Sequence, residues 1–296
     1  MMAHSPSSRR VAVVTGAATG LGAATVRALL DAGWIVVATR LPDQTAEPGA
    51  EAARFIEVDL RASDAPARVS AAAEEAGGAA LFVSSAGISL PGPVELRAGD
   101  IQTEFEVNAA APARIIAELL PQLRINRGRV VLIGAGQGRV ALPFGAGYAA
   151  SKAGLAAIAD ALRGEVHGQG ITVSLIEPGA VRTGILDASR DRARDLMSNA
   201  SDAARRRYSA PLDLTLDAAE RAFATAMPPE RIAELVLKIS GVRTPKARYL
   251  IGREAWALAI LGLLPARWRA ALLAKPALVR RRVGQQGSIP DGMVSE

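Results

Sequence analysis

Tyr148 and Lys152 stand four residues apart in an Ala-rich run. On a helix that spacing puts both on one face. An ammonium beside a phenol favours the phenol's ionised form. A phenol with an ordinary pKa of about 10 must be lowered before it exchanges protons near neutrality. The pair therefore has the makings of an acid/base unit; taken alone, a surface tyrosine and lysine is the competing reading. The second chemical feature is Thr15-Gly16-Ala17-Ala18-Thr19-Gly20-Leu21-Gly22. Its glycines let backbone N–H groups approach a phosphate, and a helix starting there adds a favourable dipole. Between a strand and a helix near the N-terminus, such a turn reads as a cradle for a dinucleotide's pyrophosphate, with a plain tight turn as the alternative.

These groups need elements to hold them. Short β-branched runs at 11–15, 35–39, 55–58, 81–84, 129–133, 172–176 and 248–251 alternate with Ala/Leu-rich helical stretches at 21–32, 64–76, 100–120 and 149–164. The alternation predicts an α/β fold, a doubly wound parallel sheet of Rossmann type with about seven strands. Residues 1–9 read as a disordered arm and 10–252 as the α/β domain. Within it, 187–227 reads as a lid over the substrate cleft, starting with the Arg/Asp/Ala-rich helical stretch 189–207. A helix opening at Pro228-Pro229-Glu230 follows. Residues 253–296 form a basic, apolar helical extension whose last stretch, from 284, reads as frayed.

Composition removes several function classes. Of 296 residues half are apolar and none is cysteine, which excludes disulfides, thiolate catalysis and cysteine-ligated metal sites. With only His4 and His167, no histidine-rich metal site is expected, and His167 reads as a solvated turn residue. The start MMAHSPSSRR has no apolar segment of signal-peptide length, and no run of about eighteen uncharged apolar residues occurs. The expectation is a cytoplasmic protein with membrane association as the variant. From residue 241 onward ten basic residues face three acidic ones, a net of +7, so the other 240 residues carry about −1 of the total +6.

The spacing TGxxxGxG resembles the short-chain dehydrogenase/reductase family, and further motifs follow in that family's order. Asp59-Leu60 stands where the family holds the adenine amine. Ser84-Ser85-Ala86-Gly87 stands where it has Asn-Asn-Ala-Gly. Asn108 matches its active-site Asn, Tyr148-Ala149-Ala150-Ser151-Lys152 its YxxxK, and Pro178-Gly179 with Val181 and Thr183 its nicotinamide loop. The resemblance implies that Gly16, Ala18, Thr19, Gly20, Leu21, Gly22, Asp59, Leu60, Ser85, Ala86, Gly87, Pro178, Gly179, Val181 and Thr183 bind the cofactor. It implies that Tyr148 is the acid/base, that Lys152 also holds the ribose hydroxyls, and that Asn108 holds a relay water; Asn108 as an ordinary helix residue is the alternative. The family's catalytic serine falls on Ala135, which has no hydroxyl. Losing such a donor typically costs on the order of 10²–10³ in rate. Gln137 is a substitute donor to consider.

Cofactor choice turns on Arg40, at the end of the second strand, where NAD-preferring relatives carry Asp. An arginine pairs with a 2′-phosphate, so NADP(H) is favoured over NAD(H). The tail, with Trp256, Leu258, Ile260, Leu261, Leu264 and Trp268 beside Arg269, Lys275 and Arg280-Arg281-Arg282, suggests peripheral contact with an anionic membrane. A helical lid or subunit contact with solvated arginines is the reading that stands ahead of it, because the apolar segments are short and interrupted by proline, and nucleic acid is not expected. The leading function is NADP-dependent interconversion of a carbonyl and a secondary alcohol on a lipophilic small molecule. A redox-neutral enzyme (cyclase, dehydratase or isomerase) and a non-catalytic nicotinamide-binding protein stand behind it. A homodimer or homotetramer through the Asp100 and Tyr148 helices is what the resemblance implies.

Overall fold

The computed structural model describes residues 10–273. The arm 1–9, the basic residues Lys275 and Arg280 to Arg282, and the stretch expected to fray lie outside the described residues. The chain begins with β1 (Val11–Thr15), whose five residues are all buried. It continues through α1 (Gly20–Asp31), β2 (Ile35–Arg40), β3 (Arg54–Glu57), α2 (Ala65–Glu75) and β4 (Ala79–Ser84). Next come α3 (Val94–Arg97), α4 (Asp100–Phe105), a π-helical turn (Glu106–Ala110) and α5 (Ala111–Ile125). β5 (Arg129–Ile133), a 3-10 turn (Gly136–Gly138), α6 (Ala146–Glu165) and β6 (Thr172–Pro178) complete the part that carries the motifs. The remainder is α7 (Ile185–Ser198), α8 (Asp202–Phe223), α9 (Glu230–Gly241), β7 (Arg248–Ile251) and α10 (Arg253–Gly262), with residues 266–273 also helical.

The strands form one sheet in the order β3-β2-β1-β4-β5-β6-β7, every pairing parallel. A parallel sheet is covered on both faces, so its strands are apolar throughout. One face packs Val69, Ile115, Leu119, Leu155 and Leu162 from α2, α5 and α6 onto Phe82 and Leu132. The other packs Val26, Leu29, Ile232, Val236 and Ile239 from α1 and α9 onto Val36, Leu81 and Val131. Strand order reverses between β1 and β4, and in such sheets ligands bind outside the carboxyl ends of the strands at that point.

Several expected element bounds shift, and three of the differences bear on the site. The third strand is Arg54–Glu57, one residue earlier than 55–58. The helix expected over 100–120 is two helices joined by the π-helical turn, which carries Asn108. The stretch 189–207 is divided between α7 and α8, broken where Ser201 caps α8 by accepting from the Ala204 N–H at 3.2 Å.

Candidate active site

At the switch point the ends of β1, β2 and β4 are stitched into a cradle. Thr39 Oγ1 accepts from the Gly16 N–H at 3.2 Å, and Thr15 Oγ1 accepts from the N–H groups of Ser85 and Ala86 at 3.2 and 3.3 Å. Gly16 has φ +62°, and a Cβ there would lie 2.5 Å from Ala86 Cα. A Cβ at Gly22 would lie 2.0 Å from the Gly16 oxygen. Only glycine permits the turn and the close seating of α1 on it. Glu47, in the loop after β2, accepts from the Gly20 N–H at 2.7 Å and pairs with Arg27 at 3.2 Å, bracing the turn from outside.

A cavity of about 580 Å³ runs from this cradle across the sheet ends. Gly16, Thr19, Gly20, Leu21, Gly22, Arg40, Asp59, Leu60, Ser85, Ala86, Gly87, Ala135, Tyr148, Lys152, Pro178, Gly179, Val181 and Thr183 all line it. Ala18, Asn108 and Gln137 do not. Ala18 is buried in the turn, and Gln137 Oε1 lies 3.4 Å from the position a Cβ at Gly145 would take, outside the cavity wall.

At one end Arg40 donates to Glu57 at 2.8 Å and lies over the Phe55 ring at 5.2 Å. Asp59 is clamped by Arg61, whose Nη2 donates at 2.6 Å; this hydrogen bonding holds the Asp59 carboxyl below the usual carboxylate range.

Toward the other end lie Tyr148 and Lys152. Lys152 is buried, donates from Nζ to the Ile133 oxygen at 2.8 Å, and stands 5.8 Å from the centre of the Tyr148 ring. Burial lowers the Lys152 ammonium to about 8. Tyr148 is part-exposed to the cavity as a residue, yet protein atoms crowd its phenol. Burial, with a smaller contribution from the Glu104 charge, pushes it up to about 12. The expected lowering of the phenol by the lysine is therefore not present in this arrangement, because the ammonium is directed at a backbone carbonyl.

Asn108 makes a reciprocal pair with the Ile88 backbone: Oδ1 accepts at 2.8 Å, and Nδ2 donates to the Ile88 oxygen at 2.9 Å and to Ser151 Oγ at 2.9 Å. Ser151 in turn donates to the Tyr148 backbone oxygen at 2.8 Å. The side chain thus ties the loop after β4 to α6. Glu104, one turn before Asn108, is buried and accepts from the Leu90 N–H at 2.9 Å. Its carboxylate occupies the space a side chain at Gly147 would need, and burial raises its pKa.

Beyond Tyr148 the wall is Ile88, Thr103, Val107, Ala135, Ile185, Ala188, Arg192 and Phe223, apolar except for Thr103 and Arg192. Helices α7 and α8 supply its outer side. They are held by Arg97 donating to the Arg192 oxygen at 2.8 Å, by Arg190 pairing with Asp217 and Glu220, and by Glu95 accepting from Tyr208 and Arg207. Behind Ala135, Arg139 grips the buried Glu177 through two bonds of 2.9 and 2.7 Å, fixing the 3-10 turn to the end of β6. Sequence reasoning missed Glu47, Arg61, Thr103, Glu104 and Arg192. Glu47 and Arg192 bind partners remote in sequence, whereas Arg61 pairs with Asp59 only two residues away, a short-range signal that the sequence did offer.

A glycine-braced turn at the switch point, opening into a cavity walled by a tyrosine and a lysine from one helix, defines a dinucleotide-binding oxidoreductase class. The short chain dehydrogenase family model matches residues 10–194, and the chain belongs to that family, whose members bind a nicotinamide dinucleotide. Among its relatives, a 3-amino-tetrahydro-pyrrolizinone reductase of Xenorhabdus hominickii is 26% identical over 265 residues, covering 84% of this chain and 88% of that protein. Retinol dehydrogenase 16 of Mus musculus is 35% identical over 186 residues, covering 60% of this chain and 58% of that protein. A short-chain dehydrogenase from Burkholderia cenocepacia, solved in complex with NADP, superposes with a TM-score of 0.67 at 23% identity, covering 90% of this chain and 97% of that one.

Proposed function

We propose that this protein is an NADP-dependent oxidoreductase that interconverts a carbonyl and a secondary alcohol on a lipophilic small molecule. The observation that carries the reading is the single cavity in which the glycine turn, Asp59, residues 85–87, the Tyr148–Lys152 pair and the loop 178–183 face one another. The cradle fits the dinucleotide: a helix N-terminus is aimed at the pyrophosphate position, and no side chain intrudes at Gly16 or Gly22. When bound, the nicotinamide supplies or takes up the hydride. In the direction of reduction, Tyr148 delivers its phenolic proton to the substrate oxygen as charge develops there. With the dinucleotide bound, Lys152 would hold the ribose hydroxyls, and its ammonium would stabilise the phenolate that remains. Asn108 acts through Ser151 by holding α6 and the loop after β4 in register.

Preference for NADP is supported by Arg40 and Arg61, two guanidiniums at the adenosine end, and by the NADP bound in the Burkholderia structure. Arg40 must share itself between Glu57 and the 2′-phosphate. A lipophilic substrate is supported by the apolar wall of Ile88, Val107, Ile185 and Phe223 and by the name of the retinol dehydrogenase relative.

A second reading rests on Ala135, a methyl where the family has a hydroxyl: the protein is redox-neutral or non-catalytic. Stopped-flow absorbance of NADPH with a panel of lipophilic ketones separates the two. Oxidation of NADPH in step with alcohol formation, lost in Tyr148→Phe, supports the oxidoreductase. Substrate conversion without net NADPH change supports the redox-neutral enzyme.

A further inference from the structure

The cavity makes no use of the outer surface of the last described helices. Trp256 and Ile260 stand four residues apart on one side of α10, and Leu263 and Leu264 follow in the turn that ends it. They are 58%, 64%, 85% and 36% exposed. Trp268 and Leu272, four residues apart in the helical stretch 266–273, are exposed as well. The chain is anchored elsewhere: Ala255 is fully buried and abuts Gly136, and the half-buried Arg269 and Leu273 share a crevice with Val140. Large apolar side chains gathered this way on an outer face mark a docking surface.

Charge identifies the occupant. Residues 253–273 carry the exposed Arg253 and Arg267, and the half-buried Arg269 that donates to the Gly262 oxygen, against Glu254, and the sequence that follows adds Lys275, Arg280, Arg281 and Arg282. A second copy docked face to face would set like charges against one another. An anionic lipid surface complements them, with tryptophans at the polar boundary. No helix among the described residues is long and apolar enough to cross a membrane, so the segment would lie on the surface. We propose that the outer face of α10 and residues 266–273 docks on an anionic lipid bilayer. This does not rest on the proposed reaction. It would set the 3-10 turn behind Ala135, on which α10 packs, next to the membrane.

The test is cosedimentation of the full chain with phosphatidylglycerol/phosphatidylcholine vesicles and with neutral phosphatidylcholine vesicles, alongside sedimentation equilibrium without lipid. Binding should require the anionic lipid and weaken with salt. Arg253→Gln with Arg267→Gln should lower partitioning by about fivefold per arginine. Trp256→Ser with Trp268→Ser should lower it on the order of a hundredfold. Since all four side chains are exposed, melting temperature and oligomeric state should not change. The proposal fails if wild type ignores both vesicles or binds them equally. It fails if the tryptophan variant still binds, or if that variant dissociates an oligomer in the absence of lipid, which would make the face a subunit contact.

Discussion

The two ends of the cavity are built by different means. The adenosine end is assembled by the sheet itself: Thr15, Thr39 and the glycine turn are locked by bonds among β1, β2 and β4, with Asp59 just beyond β3. The substrate end is assembled by helices that reach it from far along the chain, through α7 and α8 and their ties to Glu95, Arg97 and Ser89. The first end matches the family pattern closely, whereas the second departs from it at Ala135. Holding a dinucleotide and using it are thus carried by separable parts of one cavity. Changes at one end should move affinity and leave the chemical step alone, and changes at the other should do the reverse.

The largest effect that would sharpen this contrast is at Tyr148. Tyr148→Phe should lower turnover by about 10²–10⁴ with NADPH affinity nearly unchanged, measured by steady-state kinetics and calorimetric titration. Turnover close to wild type would remove the phenol from the mechanism. Next is Ala135→Ser, which should raise carbonyl reduction by on the order of 10²–10³ without altering NADPH affinity. No gain would mean that the substrate end serves another reaction.

At the adenosine end, Arg40→Asp should reverse cofactor preference. It removes a charge-assisted contact of about 1.5–3 kcal/mol, or roughly 10–150-fold in NADPH affinity, while kcat at saturation holds. A smaller effect is in pH. Lys152 is lowered to about 8 and Tyr148 raised to about 12. Rising pH therefore removes the lysine proton while the phenol is still protonated, and reduction should fall about tenfold per unit above pH 8. Lys152→Arg, which stays charged, should lack that limb. A wild-type profile flat up to the ordinary lysine value of about 10.4 would contradict the assignment.

The parts legible in the sequence were those in which a local segment both forms the element and presents its groups. The glycine turn, Tyr148 with Lys152, and the loop 178–183 are of this kind, and each reaches the cavity. Contacts set by strand register or by packing between distant helices were not legible. Arg40 faces Glu57 because β2 and β3 pair those two residues directly, and the register between two strands is not written in the bounds of either one. Asn108 sits in a π-helical turn that aims its amide at Ile88 and Ser151 rather than at the cavity, and helical periodicity alone gives no sign of the extra residue. Glu104 carried no apolar or motif signal because its role depends on the missing side chain at Gly147, on another helix.

Calorimetric titration of the wild-type chain with NADPH and, separately, NADH tests the central claim most directly. The predicted result is saturable binding of one molecule per chain, with NADPH the tighter by at least about tenfold. A folded protein that binds neither cofactor would contradict the account.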